Sequence, residues 1–224
     1  MSHKPPSASC SAVILAGGLN SRMQGRNKAF LRVAGKTILD RLLDNLRPLF
    51  AEIVLVTRQP QLYRQIPLRT VRDIYEARSS LTGIHAGLCA IRNPHAFVVP
   101  CDVPFLNPAL VSLLVRESGP QIDVVAPLVD GHLQALCTVY SKTCIPFIER
   151  QLENGAYKIV DFWDQVRVRT VSSRRIRAVD PELYSFFNVN TPTDLETCQS
   201  IAAALKDTGA IASDQGSPAG SDAL

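Results

Sequence analysis

Three short stretches, far apart in the chain, carry side chains suited to phosphate chemistry. The first runs Gly17-Gly18-Leu19-Asn20-Ser21-Arg22 and continues to Lys28. A glycine pair lets backbone N–H groups come close to phosphate oxygens, and Arg22 and Lys28 add fixed positive charge. The glycine spacing is wrong for a dinucleotide fingerprint, and the Gly-Lys-Ser/Thr of a P-loop is missing. Taken alone, the stretch also reads as a plain basic loop. The second stretch is Pro100-Cys101-Asp102-Val103-Pro104. One carboxylate after a strand suits Mg²⁺, which takes few protein carboxylates beside phosphates and waters, though such an Asp also serves as an ordinary turn residue. The third is Asn188-Val189-Asn190-Thr191-Pro192. Its two asparagines, two apart on extended chain, face the same side, and the segment is equally a good helix start.

The charge distribution supports a polyanionic ligand. Residues 1–39 hold no acidic residue but include Lys4, Arg22, Arg26, Lys28, Arg32 and Lys36, within a formal net charge of only +4. No zinc-finger or RNA-recognition motif and no interleaved aromatic pattern accompanies them, so nucleic acid is not the expected partner. No apolar run approaches the roughly 20 residues of a membrane-spanning helix, and the N-terminus lacks the apolar core of a secretory leader. Six cysteines (Cys10, Cys89, Cys101, Cys137, Cys144, Cys198) show no metal-type spacing, which suits buried, reduced thiols in a cytoplasmic protein. The four histidines form no cluster, and neither Ser21 nor Ser141 lies in a Gly-x-Ser-x-Gly context, which disfavours zinc and acyl-transfer chemistry. A second basic cluster, Arg167, Arg169, Arg174, Arg175 and Arg177, reads either as a charged edge strand or as a phosphate contact.

The elements that must position these residues follow from hydrophobic period. Residues 11–16 (SAVILA) form a continuous apolar run that reads as a strand buried on both faces. Further strands are expected over 53–57, 68–72, 96–100, 123–127, 133–140 and 166–171. Helices are expected over 37–50, 81–92, 107–117 and 143–153, with a last one opening at Thr191 and Pro192. Asn107 is the expected cap of the third helix, with Pro108 in its first turn. This alternation predicts an α/β fold with a doubly wound, mainly parallel sheet in three layers, Rossmann-like in plan. Ligands then bind past the carboxyl ends of the strands. The 224 residues divide into an N-terminal tail, 1–10, one domain over 11–207, and a Gly/Ser/Ala/Asp-rich C-terminal tail, 208–224, with both tails expected to be disordered.

The loop after the first strand resembles the signature L-A-G-G-x-x-x-R-M-G-x-x-K of nucleotidyltransferases, in the branch of the molybdenum cofactor guanylyltransferases. That resemblance spans about residues 12–205, with the motifs in family order. It implies transfer of GMP from GTP to molybdopterin with release of pyrophosphate, Mg²⁺ as cofactor, and transient contacts with molybdenum cofactor delivery proteins and molybdoenzymes. It implies that Leu15, Ala16 and Gly17 line the nucleotide, that Gly18 and Arg22 contact phosphates, and that Lys28 steadies the triphosphate. Asp102 inherits the metal role; Asn190 serves the metal or the nucleotide, and Asn188 with Asn190 serves the acceptor. Asp73, Gly83 and Gly87 match family positions near the nucleotide, and His132 and Gln134 fall in a segment that faces the acceptor. The chain departs from the pattern at Gln24, where glycine is usual, at Asn27, where aspartate commonly precedes the lysine, and at Ile84-His85, which replace Pro-Leu. Molybdopterin cytidylyltransferases and sugar-1-phosphate nucleotidyltransferases share these motifs, and a catalytically silent nucleotide binder or cofactor carrier is the reading from another class.

Overall fold

The computed structural model describes residues 9–17 and 27–207. Gly18, Arg22, Gln24, residues 1–8 of the expected N-terminal tail 1–10, and the expected C-terminal tail 208–224 lie outside the described residues.

Strand β1 (Cys10–Leu15) is central. It begins one residue before the expected domain boundary, because Cys10 is itself buried and pairs with His95. β1 lies parallel to β4 (Ile53–Val56) on one side and to β6 (His95–Pro100) on the other, and β4 is parallel to β5 (Arg69–Val71). Beyond β6 the sheet turns mixed. β9 (Thr138–Ser141) runs antiparallel to both β6 and β7 (Val124–Val129), and β10 (Val168–Ser172) closes the edge parallel to β7. Among the described residues the order is β10-β7-β9-β6-β1-β4-β5.

Continuous apolar strands require cover on both faces. On one face Cys10, Ala12 and Ile14 pack with α1 (Ile38–Leu46) and α3 (Pro108–Arg116). On the other, Val13 packs with α2 (Ser80–Ala90), α4 (Ile145–Glu153) and the 3₁₀ segment Ile159–Gln165. Helices α1, α2 and α3 start where short polar side chains cap them. Thr37 accepts from Asp40 N–H, Ser79 from Thr82 N–H, and Asn107 from Ala109 N–H, as expected for Asn107. A smaller apolar cluster joins the hairpin β2 (Arg32–Val33) and β3 (Lys36–Thr37) to Phe105, Val189 and α6 (Pro192–Asp207).

One expected strand is broken. Residues 133–140 divide into β8 (His132–Leu133) and β9, because Cys137 adopts φ +61° and takes the chain out of the sheet. Tyr140 Oη donates to Ala135 O at 2.6 Å, and Thr138 Oγ1 donates to Gln134 O, which fixes the detour. β8 instead pairs with β7 across the two-residue turn Asp130-Gly131, both at positive φ. His132, on the second strand of this hairpin, and Gln134, just after it, do not line the cavity described below.

The second basic cluster behaves as a charged edge. Arg167 grips the Asp123 carboxylate from Nε (2.8 Å) and Nη2 (2.9 Å), Arg169 and Arg175 share Glu117, and Arg177 pairs with Asp130. Such pairing holds β10 in place and covers an edge that would otherwise offer itself to another strand.

Candidate active site

The parallel strands β1, β4, β5 and β6 all end at one edge, and β1 has neighbours reached by opposite turns of the chain. This is the switch point at which doubly wound sheets take ligands. A cavity of about 470 Å³ opens there. Its floor is Leu15, Ala16 and Gly17 from β1 and the loop after it, and one wall is the start of α2 with Ser79, Ser80 and Gly83.

Lys28, Asp102 and the two asparagines meet on this cavity. Lys28 Nζ lies 3.1 Å from Asp102 Oδ2 and donates to Asn190 Oδ1 at 2.7 Å. Asn188 Nδ2 donates to the other Asp102 oxygen at 3.3 Å, and Val189 N–H to the Asp102 carbonyl at 3.0 Å. Three separate devices produce this meeting. Asp102 follows the end of β6, where Cys101 N–H donates to Leu15 O. Lys28 opens the short 3₁₀ turn Lys28–Phe30, capped by Asn27. Asn190 is held by a capping box at α6, in which Asn190 N–H and Thr191 N–H both donate to Asp194 Oδ2 at 2.8 Å and Asp194 N–H donates to Thr191 Oγ1. The small cluster joining the hairpin to α6 ties the last two devices together.

Burial pushes the Asp102 carboxyl above its ordinary range, and the Lys28 ammonium beside it pulls it partly back. A desolvated carboxylate of this kind is poorly served by water and well served by cations. Asn27, the departure beside Lys28, is used locally. Its Oδ1 accepts from Ala29 N–H at 3.1 Å and its Nδ2 meets Tyr63 Oη at 2.9 Å.

At the opposite wall, Asp73 lies after β5 with Oδ1 on the Gly83 side, 3.8 Å from where a Gly83 Cβ would stand. A Gly83 Cβ would also lie 3.2 Å from Leu15 Cδ2, so glycine keeps this wall open. Gly87 has another role. It does not line the cavity, and a Cβ there would lie 2.5 Å from Val13 Cγ1. Four residues further along α2 is about 6 Å deeper into the fold, where glycine lets the helix close on β1. Gly87→Ala should therefore cost about 1–3 kcal/mol through overpacking, against a helix-propensity gain of at most about 1 kcal/mol. A lowered urea midpoint with nucleotide affinity kept checks this; full stability with lost nucleotide affinity would return Gly87 to the ligand site.

Arg58, Arg78, Ser79 and Leu136 also line the cavity, and sequence reasoning did not single them out. Among the described residues no group of three or more His, Cys, Asp or Glu side chains could hold a metal by itself. No helix among them is long and apolar enough to cross a membrane.

A cavity lined by charges of both signs at a switch point is where a doubly wound sheet takes a ligand, and comparison with known proteins gives the class of the chain. A family model for the MobA-like NTP transferase domain matches residues 12–171. The molybdenum cofactor guanylyltransferase of Desulfosudis oleivorans is 39% identical over 188 residues, 84% of this chain and 93% of that protein. The probable molybdenum cofactor guanylyltransferase of Pelotomaculum thermopropionicum is 39% identical over 190 residues, 85% of this chain and 92% of its own. Among solved structures, molybdopterin-guanine dinucleotide biosynthesis protein A from Archaeoglobus fulgidus superposes with a TM-score of 0.76 at 26% identity, covering 87% of this chain and 99% of that one. The chain belongs to the MobA-like NTP transferase family, and is thereby a nucleotidyltransferase. Enzymes of this class generally work with a divalent metal.

Proposed function

We propose that this chain transfers the GMP moiety of GTP to molybdopterin and releases pyrophosphate. The observation that carries the reading is the convergence of Lys28, Asp102 and Asn190 on one cavity, in a chain whose relatives bear the names given above. An oxygen of the acceptor's phosphate bonds to the α-phosphorus of GTP, the bond from that phosphorus to the bridging oxygen breaks, and pyrophosphate leaves with the electron pair. A phosphate monoester with a second pKa near 6 is largely dianionic at neutral pH (about −1.5 to −2 charge), so no side chain need take a proton from it. Positioning and charge stabilisation then supply the rate.

Leu15, Ala16 and Gly17 form the floor under the nucleotide, with Asp73 and Gly83 at its nucleoside end. Lys28 neutralises charge on the β- and γ-phosphates as the leaving group forms. Gly18 and Arg22 join it on the strength of the signature they belong to. Asn188 and Asn190 orient the acceptor phosphate.

The residues present fit Mg²⁺. The Lys28 ammonium already stands as a cation between Asp102 Oδ2 and Asn190 Oδ1, both hard oxygen donors. Asp102 and Asn190 would hold the ion, in keeping with the few protein ligands magnesium takes. When bound, it supplies charge neutralisation on the phosphates. The product is a cofactor that must reach a molybdoenzyme, so transient contacts with delivery proteins and molybdoenzymes belong to the same reading.

Titration calorimetry with Mg²⁺ tests the nucleotide. GTP should bind more tightly than CTP, ATP or UTP; equal or tighter binding of CTP would assign the chain to cytidylyl transfer instead.

A further inference from the structure

The loop between β5 and α2, residues 72–79, is held by one side chain from a different strand. Arg58 follows β4, and its Nε donates to Asp73 Oδ2 at 2.8 Å. Its Nη2 lies 2.9 Å from Tyr75 O, 2.7 Å from Glu76 O and 2.6 Å from Ala77 O. Three successive carbonyl dipoles aimed at one point repel one another, and a guanidinium at that point removes the repulsion. The other support of the loop is at its far end, where Thr82 Oγ1 donates to Ser79 O at 2.8 Å and Thr82 N–H to the Ser79 hydroxyl. Thr82 Oγ1 also reaches Ala77 O at 3.3 Å, and the Tyr75 ring stands edge-on to His85 with centroids 5.1 Å apart, but among the described residues the hydrogen bonds to Asp73, Tyr75 and Glu76 come from Arg58.

We infer that Arg58 is a positioning residue for the nucleoside half of the substrate. It takes Asp73 Oδ2 and leaves Oδ1 on the Gly83 side of the cavity wall. A carboxylate oxygen there repels phosphate but accepts hydrogen bonds from neutral donors, such as ribose hydroxyls or the N–H edge of a purine. Fixing Asp73 and the three carbonyls by one planar fork sets where those donors must lie, at low entropic cost when the nucleotide arrives. A lysine at this place could meet Asp73 or the carbonyls with its single nitrogen, but could not span both. The inference rests on the nucleotide site proposed above.

Arg58→Met and Arg58→Lys test it, by hydrogen exchange on the ligand-free protein and by binding of GTP, GMP and inorganic tripolyphosphate. The amides of 73–79 should exchange faster in Arg58→Met and to an intermediate degree in Arg58→Lys. GTP and GMP should both weaken by about 10-fold in Arg58→Met while tripolyphosphate binding holds. In turnover the loss should fall on KM for GTP, with kcat kept. Tripolyphosphate weakened as much as GTP, with GMP unaffected, would make Arg58 a phosphate ligand and overturn the inference. Unchanged exchange and unchanged nucleotide binding would overturn it as well. Wild-type protein that binds no GTP would overturn the proposed function and the nucleoside assignment together, whereas wild-type binding with unaltered variants would overturn the inference alone.

Discussion

Asp102→Ala should lower turnover by about 10²–10⁴-fold, a barrier increase of roughly 3–5 kcal/mol, while the protein stays folded. Among the described residues the side chain is the acidic group that Lys28 meets directly, and it is held for that meeting from both sides by Lys28 and Asn188. The backbone hydrogen bond from Val189 N–H to the Asp102 carbonyl does not need the carboxylate, so residues 188–190 remain in place when it is removed. Burial raises the Asp102 carboxyl, and the Lys28 ammonium beside it offsets part of that cost. Steady-state turnover, with circular dichroism and melting as controls, is the measurement. Near-normal turnover with unaltered Mg²⁺ dependence would reduce Asp102 to a turn residue.

Lys28→Met has the next largest effect, and it differs between ligands. Loss of a charge-assisted contact to the far phosphates removes about 1.5–3 kcal/mol of GTP affinity, or roughly 10- to 150-fold, with GMP changed much less. The same variant should bind Mn²⁺ about 10-fold more tightly without nucleotide, since the ammonium 3.1 Å from Asp102 no longer competes for the carboxylate. Calorimetry reads the first effect and electron paramagnetic resonance of Mn²⁺ the second. Equal losses for GTP and GMP would place Lys28 away from the β- and γ-phosphates.

Much of this frame is legible in the sequence, because the signals that specify it are local. Strands buried on both faces read as unbroken apolar runs, and Asn107-Pro108 and Thr191-Pro192 announce helix starts in their own residues. The break at Cys137 is not local. Its positive φ is set by hydrogen bonds from Thr138 and Tyr140, while the residues themselves look like continuous strand. The β7–β8 hairpin did leave a signal, since Asp130-Gly131 between apolar runs is a two-residue turn.

The site divides in the same way. Gly17, Lys28, Asp102 and Asn190 stand out by type and context, but only the fold brings Lys28 to Asn190 across 162 positions. Gly83 and Gly87 share a helical face, so spacing alone cannot tell that one opens the cavity and the other meets Val13. Arg58 carries no motif at all. It follows a buried strand as one basic residue among many, and its role depends on three carbonyls whose directions no side-chain pattern records.

The most direct test of the account is where the label goes when GTP carrying ³²P at its α-phosphate is incubated with the protein, Mg²⁺ and molybdopterin. Transfer of GMP places the label in a dinucleotide form of the cofactor and releases unlabelled pyrophosphate, and Asp102→Ala suppresses both together. Label that stays in GTP while molybdopterin is unchanged, or that moves to molybdopterin from CTP in preference to GTP, would contradict it.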